Sequence, residues 1–241
     1  MVELGVVSAG TTEPAGYRYP TGYEKPPVEE MIRSHAKAWK ISDQEKRSAL
    51  ETARRLSENR ERPEKSEGLF ALPYFRTIGT YSDATSVLLK KLAKKRRAHN
   101  FLANYDLRLH RDRNVNRRLA RIAEKQGSRL LVFHAQLGEY YAGMSVIGAF
   151  EDFDKRREFP LGIFEVGATL LACNHRLSTM TDLFLDCPAD QIINGGRIGT
   201  TPCFSIDQYG QMILGHHSPR SSSSHYGAVT GFYPRIARGK G

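Results

Sequence analysis

Cysteine is scarce in this chain. Three thiols in 241 residues (Cys173, Cys187 and Cys203) are an odd number, too sparse for a disulfide framework, so reduced thiols in a reducing compartment are expected. No apolar run approaches the roughly 18 residues that a membrane span needs. The opening MVELGVVSAGTTEPAG carries neither a basic leader nor a long apolar segment. These absences predict a cytoplasmic protein with no membrane partner.

The common chemical signatures are missing too. There is no C-x-x-C pair and no H-E-x-x-H, and Cys173 and His175 stand two apart with no further ligand nearby, so no metal site and no cofactor are expected. The spacing G-x-x-x-x-G from Gly162 to Gly167 lacks the Lys-Ser/Thr that would make it a phosphate loop. FEVGATLL lacks the R/Q-x-x-G-x-G/A pattern of GNAT-type acetyltransferases, which removes that reading. The aromatic signature of an RRM, the G-x-x-G loop of a KH domain and C2H2 zinc spacing are all absent, as is any internal repeat.

What is present is charge, unevenly placed. Residues 1–89 hold 13 Lys/Arg against 13 Asp/Glu, and residues 126–241 hold ten of each. Residues 90–125 hold 13 Lys/Arg against Asp106, Asp112 and Glu124, so the whole net charge of +10 sits in 36 residues. Solubility alone does not require one sign to be concentrated in one segment.

Periodicity predicts an α+β protein in which N-terminal helices, including a basic helical hairpin, precede a mainly antiparallel sheet with one packed helix. Residues 1–27, rich in Gly, Pro and Thr with Tyr17, Tyr19 and Tyr23, read as an extended arm through which protein partners could dock. A helical segment follows over 28–62, in which Ser42 and Glu45 fit a capping box, then a linker over 63–81. The hairpin spans 82–127: one helix from about 84 to 105 capped by Ser82 or Asp83, the connection NYDLRLHRD, and a second from 113 to 126 between Asp112 and Gly127. The sheet body, 128–241, is expected to open with a strand hairpin over 129–137 and 140–150. A helix in FEVGATLLACNHRLSTM and strands at DLFLDC, PCFSID, GQMILG and AVTGFYP follow, with a mobile serine-rich loop near 218–226.

At 100° per residue, Lys90, Lys91, Lys94, Lys95 and Arg97 share an arc opposite Leu88, Leu89 and Leu92, while Arg96 falls inside the apolar arc and must snorkel or find a partner. In the second helix Val115, Leu119, Ile122 and Ala123 make one face and Arg113, Arg117, Arg118, Arg121 and Lys125 the other. Together with Arg111, Asn114 and Asn116, whose side chains can reach base edges, these residues form the expected nucleic-acid surface. The connection is longer than the turn of a helix-turn-helix, so RNA or another single strand is favoured over duplex DNA, within a larger nucleoprotein assembly.

Two other classes remain open. A nuclease would draw on Asp186, Asp190, Glu139 and Glu165 to hold Mg²⁺, or on His134, His216, His217, His225 and Tyr226 for metal-free cleavage of RNA. An adaptor would set the basic faces against an acidic protein.

Overall fold

The computed structural model describes residues 23–58, 62–96, 98–100, 108–153, 157–194 and 197–234. The chain is α+β. Among the described residues, six α-helices and ten strands follow the order α1 (Val28–Trp39), α2 (Asp43–Glu58), β1 (Gly68–Pro73), α3 (Tyr81–Arg96), β2 (His99–Asn100), β3 (Arg108–Arg111), α4 (Arg113–Gln126) and β4 (Leu130–Leu137). There follow α5 (Val146–Phe153), β5 (Glu158–Pro160), α6 (Ile163–Ala172), β6 (Phe184–Asp186), β7 (Asp190–Asn194), β8 (Arg197–Ile206), β9 (Met212–His217) and β10 (Tyr226–Phe232).

The strands form one sheet ordered β1-β4-β10-β6-β8-β7-β3, with β9 on β8, β2 on β9 and β5 on β10. All pairings are antiparallel except β10 with β6 and β2 with β9. The long β8 joins the two halves, pairing through its first residues with β7 and through its last with β6 and β9.

Alternation sends successive side chains of β6, β8 and β10 to opposite faces. Leu185, Phe204 and Val229 join the main core, which α1, α2, α3, α4 and α6 close with Ile32, Ala53, Leu88, Leu119 and Phe164. The approach of α3 to α6 and β8 depends on Gly167, where a methyl group would collide with Leu88. On the opposite face Ala228 packs with Tyr141, Ala149 and Phe153 beneath α5.

Several local expectations hold. Ser42 Oγ accepts from the Glu45 amide at 3.3 Å and donates to the Glu45 carboxylate at 2.7 Å, which starts α2. Asp112 caps α4 by accepting from the Asn114 amide at 2.7 Å, and Gly127 ends it in the left-handed region at φ 56°. Asp207 and Gly210 make the β8–β9 turn.

Others are corrected. The helix expected to run to residue 105 ends at Arg96, and its cap is Thr80, whose Oγ accepts from the Asp83 amide at 3.2 Å. The connection before α4 carries β3, a strand in register with β7, because RLHR alternates and can lay Leu109 on the core. Thus α3 and α4 are not joined by a plain loop: α3 packs on α6 and α4 on β4 and α2. The linker assigned to 63–81 contains β1, in which Leu69, Phe70, Ala71 and Leu72 are buried; a short run buried on both faces has no alternation to read. Residues 140–150 are not a strand: Ser145 Oγ accepts from the Gly148 amide at 3.1 Å and starts α5. The strand β7 had no separate signal in the sequence. Most of the expected arm, residues 1–22, lies outside the described residues; Tyr23 and Lys25 pack on the core, with the Lys25 ammonium donating to the Leu69 carbonyl at 3.1 Å. No helix among the described residues is long and apolar enough to cross a membrane.

Candidate nucleic-acid interface

Helix α4 displays its charge because of its caps and apolar stripe. Val115, Leu119 and Ile122 are buried at i, i+4 and i+7, and the buried Gln126 ties the end of the helix to β4, its amide donating to the Val132 carbonyl at 2.6 Å. This fixes the helix's rotation. Arg113, Arg117, Arg121 and Lys125 then rise along the solvent side at i, i+4, i+8 and i+12, all exposed. At 1.5 Å per residue the stripe is about 18 Å long, one cation every ~6 Å. None of the four is ion-paired to a carboxylate among the described residues, and the first turn of α4 has no acidic residue.

The other expected contacts divide sharply. Lys90, Lys94 and Lys95 are exposed on α3. Lys91 donates to the Ala38 carbonyl at 2.9 Å and lies over the Trp39 ring, and Lys95 donates to the Leu171 carbonyl at 2.8 Å, so both lean back on the body. Arg96 is half-buried and reaches the Leu177 carbonyl, the snorkelling its position in the apolar arc required. Arg97 lies outside the described residues. On α4, Asn114 is exposed, Asn116 is half-buried, and Arg118 donates to the Glu158 carbonyl at 2.6 Å.

Arg111 is a correction. It is buried and donates to Glu165 Oε1 at 2.8 Å, to Asp190 Oδ1 at 3.3 Å and to Asn116 at 2.6 Å, with its guanidinium 3.8 Å from the Tyr81 ring centre. Tyr81 donates to Asp190 Oδ2 at 2.5 Å, and the amide of Ile163 donates to the same oxygen at 2.6 Å. Burial acts to lower the Arg111 pKa, but Glu165, Tyr81 and Asp190 outweigh it and hold the group above its ordinary value. A methyl group at Gly162 would collide with Arg111, Asp190 and the Tyr81 hydroxyl. The network clamps β3, β7, α3 and the start of α6 together, so Arg111 cannot meet a phosphate.

Beyond the N-terminal end of the stripe the surface is grooved. One hollow is lined by His110, Asp112, Arg113, Phe150, Pro188, Ala189 and Gln191. The next, lined by Ile147, Thr200, Ser218, Pro219 and Arg220 among others, shares Phe150 and Gln191 with it. Half-buried Phe150, whose ring packs on Phe153 at 5.0 Å between centres, thus lines both hollows, one together with Arg113 and the other together with Arg220. Nothing in the sequence marked Phe150, Gln191 or Arg220, since they come from three separate elements.

The residues considered for catalysis are redistributed. Asp190 and Glu165 converge on Arg111 rather than on an open site. The His134 ring lies 2.9 Å from the Ser66 hydroxyl, and burial with Arg62 nearby lowers its pKa to about 4. His216 and His225 are exposed. Glu139, half-buried, has its carboxyl pKa raised by burial.

Asp186 and His217 do come together, Oδ1 to Nε2 at 2.7 Å, with Tyr226 stacked on the imidazole at 4.0 Å between ring centres. Burial raises the Asp186 pKa despite His217. For His217 burial pulls downward, but Asp186 outweighs it and the net shift is upward. Compared with protein-family models, with curated proteins and with solved structures, the chain matches none.

Proposed function

We propose that this protein binds nucleic acid, a single strand of RNA in the first place, with the strand's phosphates along the outer side of α4 and a base against Phe150. The observation that carries this reading is the stripe Arg113, Arg117, Arg121 and Lys125, none of them ion-paired to a carboxylate among the described residues, with Lys125 lying over the Tyr233 ring. Like charges at i, i+4 each destabilise a surface helix by a few tenths of a kcal/mol, and cations in the first turn oppose the helix dipole. Phosphates of a bound strand would relieve both effects. Lys90 and Lys94 on α3 add to the field that draws the strand in.

The groove favours a single strand. A half-buried aromatic lining hollows that also hold arginines suits an unstacked base, which a duplex does not present, and stacking of this kind contributes about 1–3 kcal/mol per base. The test is fluorescence anisotropy with labelled single-stranded RNA, single-stranded DNA and a duplex over a range of salt. With four to six phosphates neutralised, log K should fall against log salt with a slope of about −3 to −4. A flat salt dependence, or binding unchanged when all four stripe residues become Gln, would overturn the proposal.

A further inference from the structure

On the sheet face opposite the main core, three strands place three unlike donors around one point. Asp186 of β6 and Cys203 of β8 are register partners, and the next partner of Cys203 across the sheet is Gly215 of β9, two residues before His217. All three side chains therefore project to the same side. A carboxylate oxygen of Asp186, Cys203 Sγ and a His217 ring nitrogen lie within 4.8 Å of one another. No side chain comes from Gly215, so the position across from Cys203 stays open; even a methyl group there would find its nearest neighbour, Ile213 Cγ2, at 3.7 Å.

The hydrogen bonding around this point is incomplete in an informative way. His217 Nδ1 lies 2.9 Å from the Ser218 carbonyl oxygen, which can only accept, so the ring hydrogen sits on Nδ1. In the neutral imidazole that leaves the Nε2 lone pair facing Asp186. A bare nitrogen and a carboxylate oxygen at 2.7 Å repel unless something positive lies between them; a shared proton meets that need in the empty protein, and a metal cation can take its place. Asp186 Oδ2 is also fully buried and has no hydrogen-bond partner among the described residues. Metal-ligating histidines commonly donate their other ring N–H to a backbone carbonyl, as His217 does to Ser218.

We propose that Asp186, Cys203 and His217 bind a divalent cation of the zinc class through a carboxylate oxygen, a thiolate and an imidazole nitrogen. The mixed oxygen, sulfur and nitrogen set suits Zn²⁺ or Co²⁺ and disfavours Mg²⁺ and Ca²⁺, which take oxygen ligands. Ligand atoms about 2.0–2.3 Å from a tetrahedral ion stand ~3.3–3.8 Å apart, so small side-chain movements complete the site. The charges balance: thiolate, carboxylate and neutral imidazole against two positive charges. Binding releases the thiol proton and the proton shared by Asp186 and His217. Three protein ligands leave a fourth position for water or a substrate atom, the arrangement of catalytic rather than structural zinc. Ser218, next to His217, lines the groove that runs to Phe150, so a ligand in that groove approaches the ion's surroundings.

This site stands apart from the nucleic-acid reading and is tested without it. The full chain is stripped of metal with a chelator and titrated with Co²⁺. One equivalent should bind, giving the visible bands of a tetrahedral ion and a near-ultraviolet thiolate-to-cobalt charge-transfer band, both lost when Zn²⁺ is added. Cys203→Ser should abolish the charge-transfer band and weaken binding by more than about 100-fold, beyond the range seen for outer-shell partners. Cys173→Ser should leave both unchanged. Should Cys203→Ser fail to fold, the wild-type titration decides together with melting: Zn²⁺ should raise the Tm of the stripped wild type and not of His217→Asn. Absence of a Co²⁺ spectrum in the wild type, or a thiolate band that follows Cys187 instead, would overturn the site.

Discussion

Arg111 and Arg113 are separated by one residue and meet opposite surroundings. The first is sealed between two carboxylates at the junction of β3, β7 and α6; the second stands in water at the start of a stripe with no carboxylate partner among the described residues. Composition counts them as the same charge. The difference arises because β3 ends at Arg111, its side chain turned inward, and Asp112 then caps α4 and turns the chain onto a helix whose outer side begins with Arg113. A basic segment is therefore not one surface. It divides into cations that hold the fold and cations that remain available to a ligand.

The largest way to break the comparison is Arg111→Met. It leaves Glu165 and Asp190 buried without their cation, and removing one partner of a buried ion pair typically costs about 3–5 kcal/mol. The expected result is a Tm lowered by roughly 6–20 °C, at ~2–4 °C per kcal/mol for a chain of this size, in the absence of any ligand. The opposite pattern is expected when Arg113, Arg117, Arg121 and Lys125 all become Gln. Melting should hold or rise by a degree or two, because repulsion along the helix is relieved, while the salt slope for single-stranded RNA falls by about 3, equivalent to ~10³ in affinity at 0.1 M salt. If both variants lose stability alike, the division between the two kinds of cation fails.

His35 shows a second solution to burial. It is 1% exposed, and burial with Lys95 nearby lowers its pKa from 6.5 to about 4. Above pH 6.5 the imidazole is neutral in both folded and unfolded chains and contributes no pH dependence. As pH falls from 6.5 to 4 the unfolded chain takes up a proton that the folded chain refuses, so stability is lost, by about 3 kcal/mol once both forms are protonated. Denaturant unfolding at pH 7 and pH 4 measures this, and His35→Gln should lose less stability over that interval than the wild type. Equal losses would show that other groups carry the acid sensitivity.

How far these surroundings could be read from the sequence depended on range. The apolar stripe of α4, its Asp112 cap and its Gly127 stop are local, and they place Arg113, Arg117, Arg121 and Lys125 on the outer side; Arg118, expected there too, instead leans back to the Glu158 carbonyl. The burial of Arg111 was not local, since its partners lie 54 and 79 residues away on elements whose pairing the sequence does not state. The same holds for Asp186, Cys203 and His217, which share no motif because three different strands bring them together. The strand β1 was missed for another reason: with both faces buried, GLFALP lacks the alternation that reveals a strand.

The smallest expected effect separates the two kinds of cation most cleanly, because it has opposite signs in two measurements. Arg113→Glu places an anion in the first turn of α4, where the helix dipole favours it by about 0.3–1 kcal/mol. It also pairs at i, i+4 with Arg117 in the favourable order, adding about 0.2–0.5 kcal/mol. At ~2–4 °C per kcal/mol the free protein should therefore melt roughly 1–6 °C higher while binding single-stranded RNA more weakly. A cation whose removal stabilises the fold and weakens the complex is one that the fold does not need. If the variant instead melts lower, Arg113 belongs with Arg111 among the structural cations, and the available stripe begins only at Arg117.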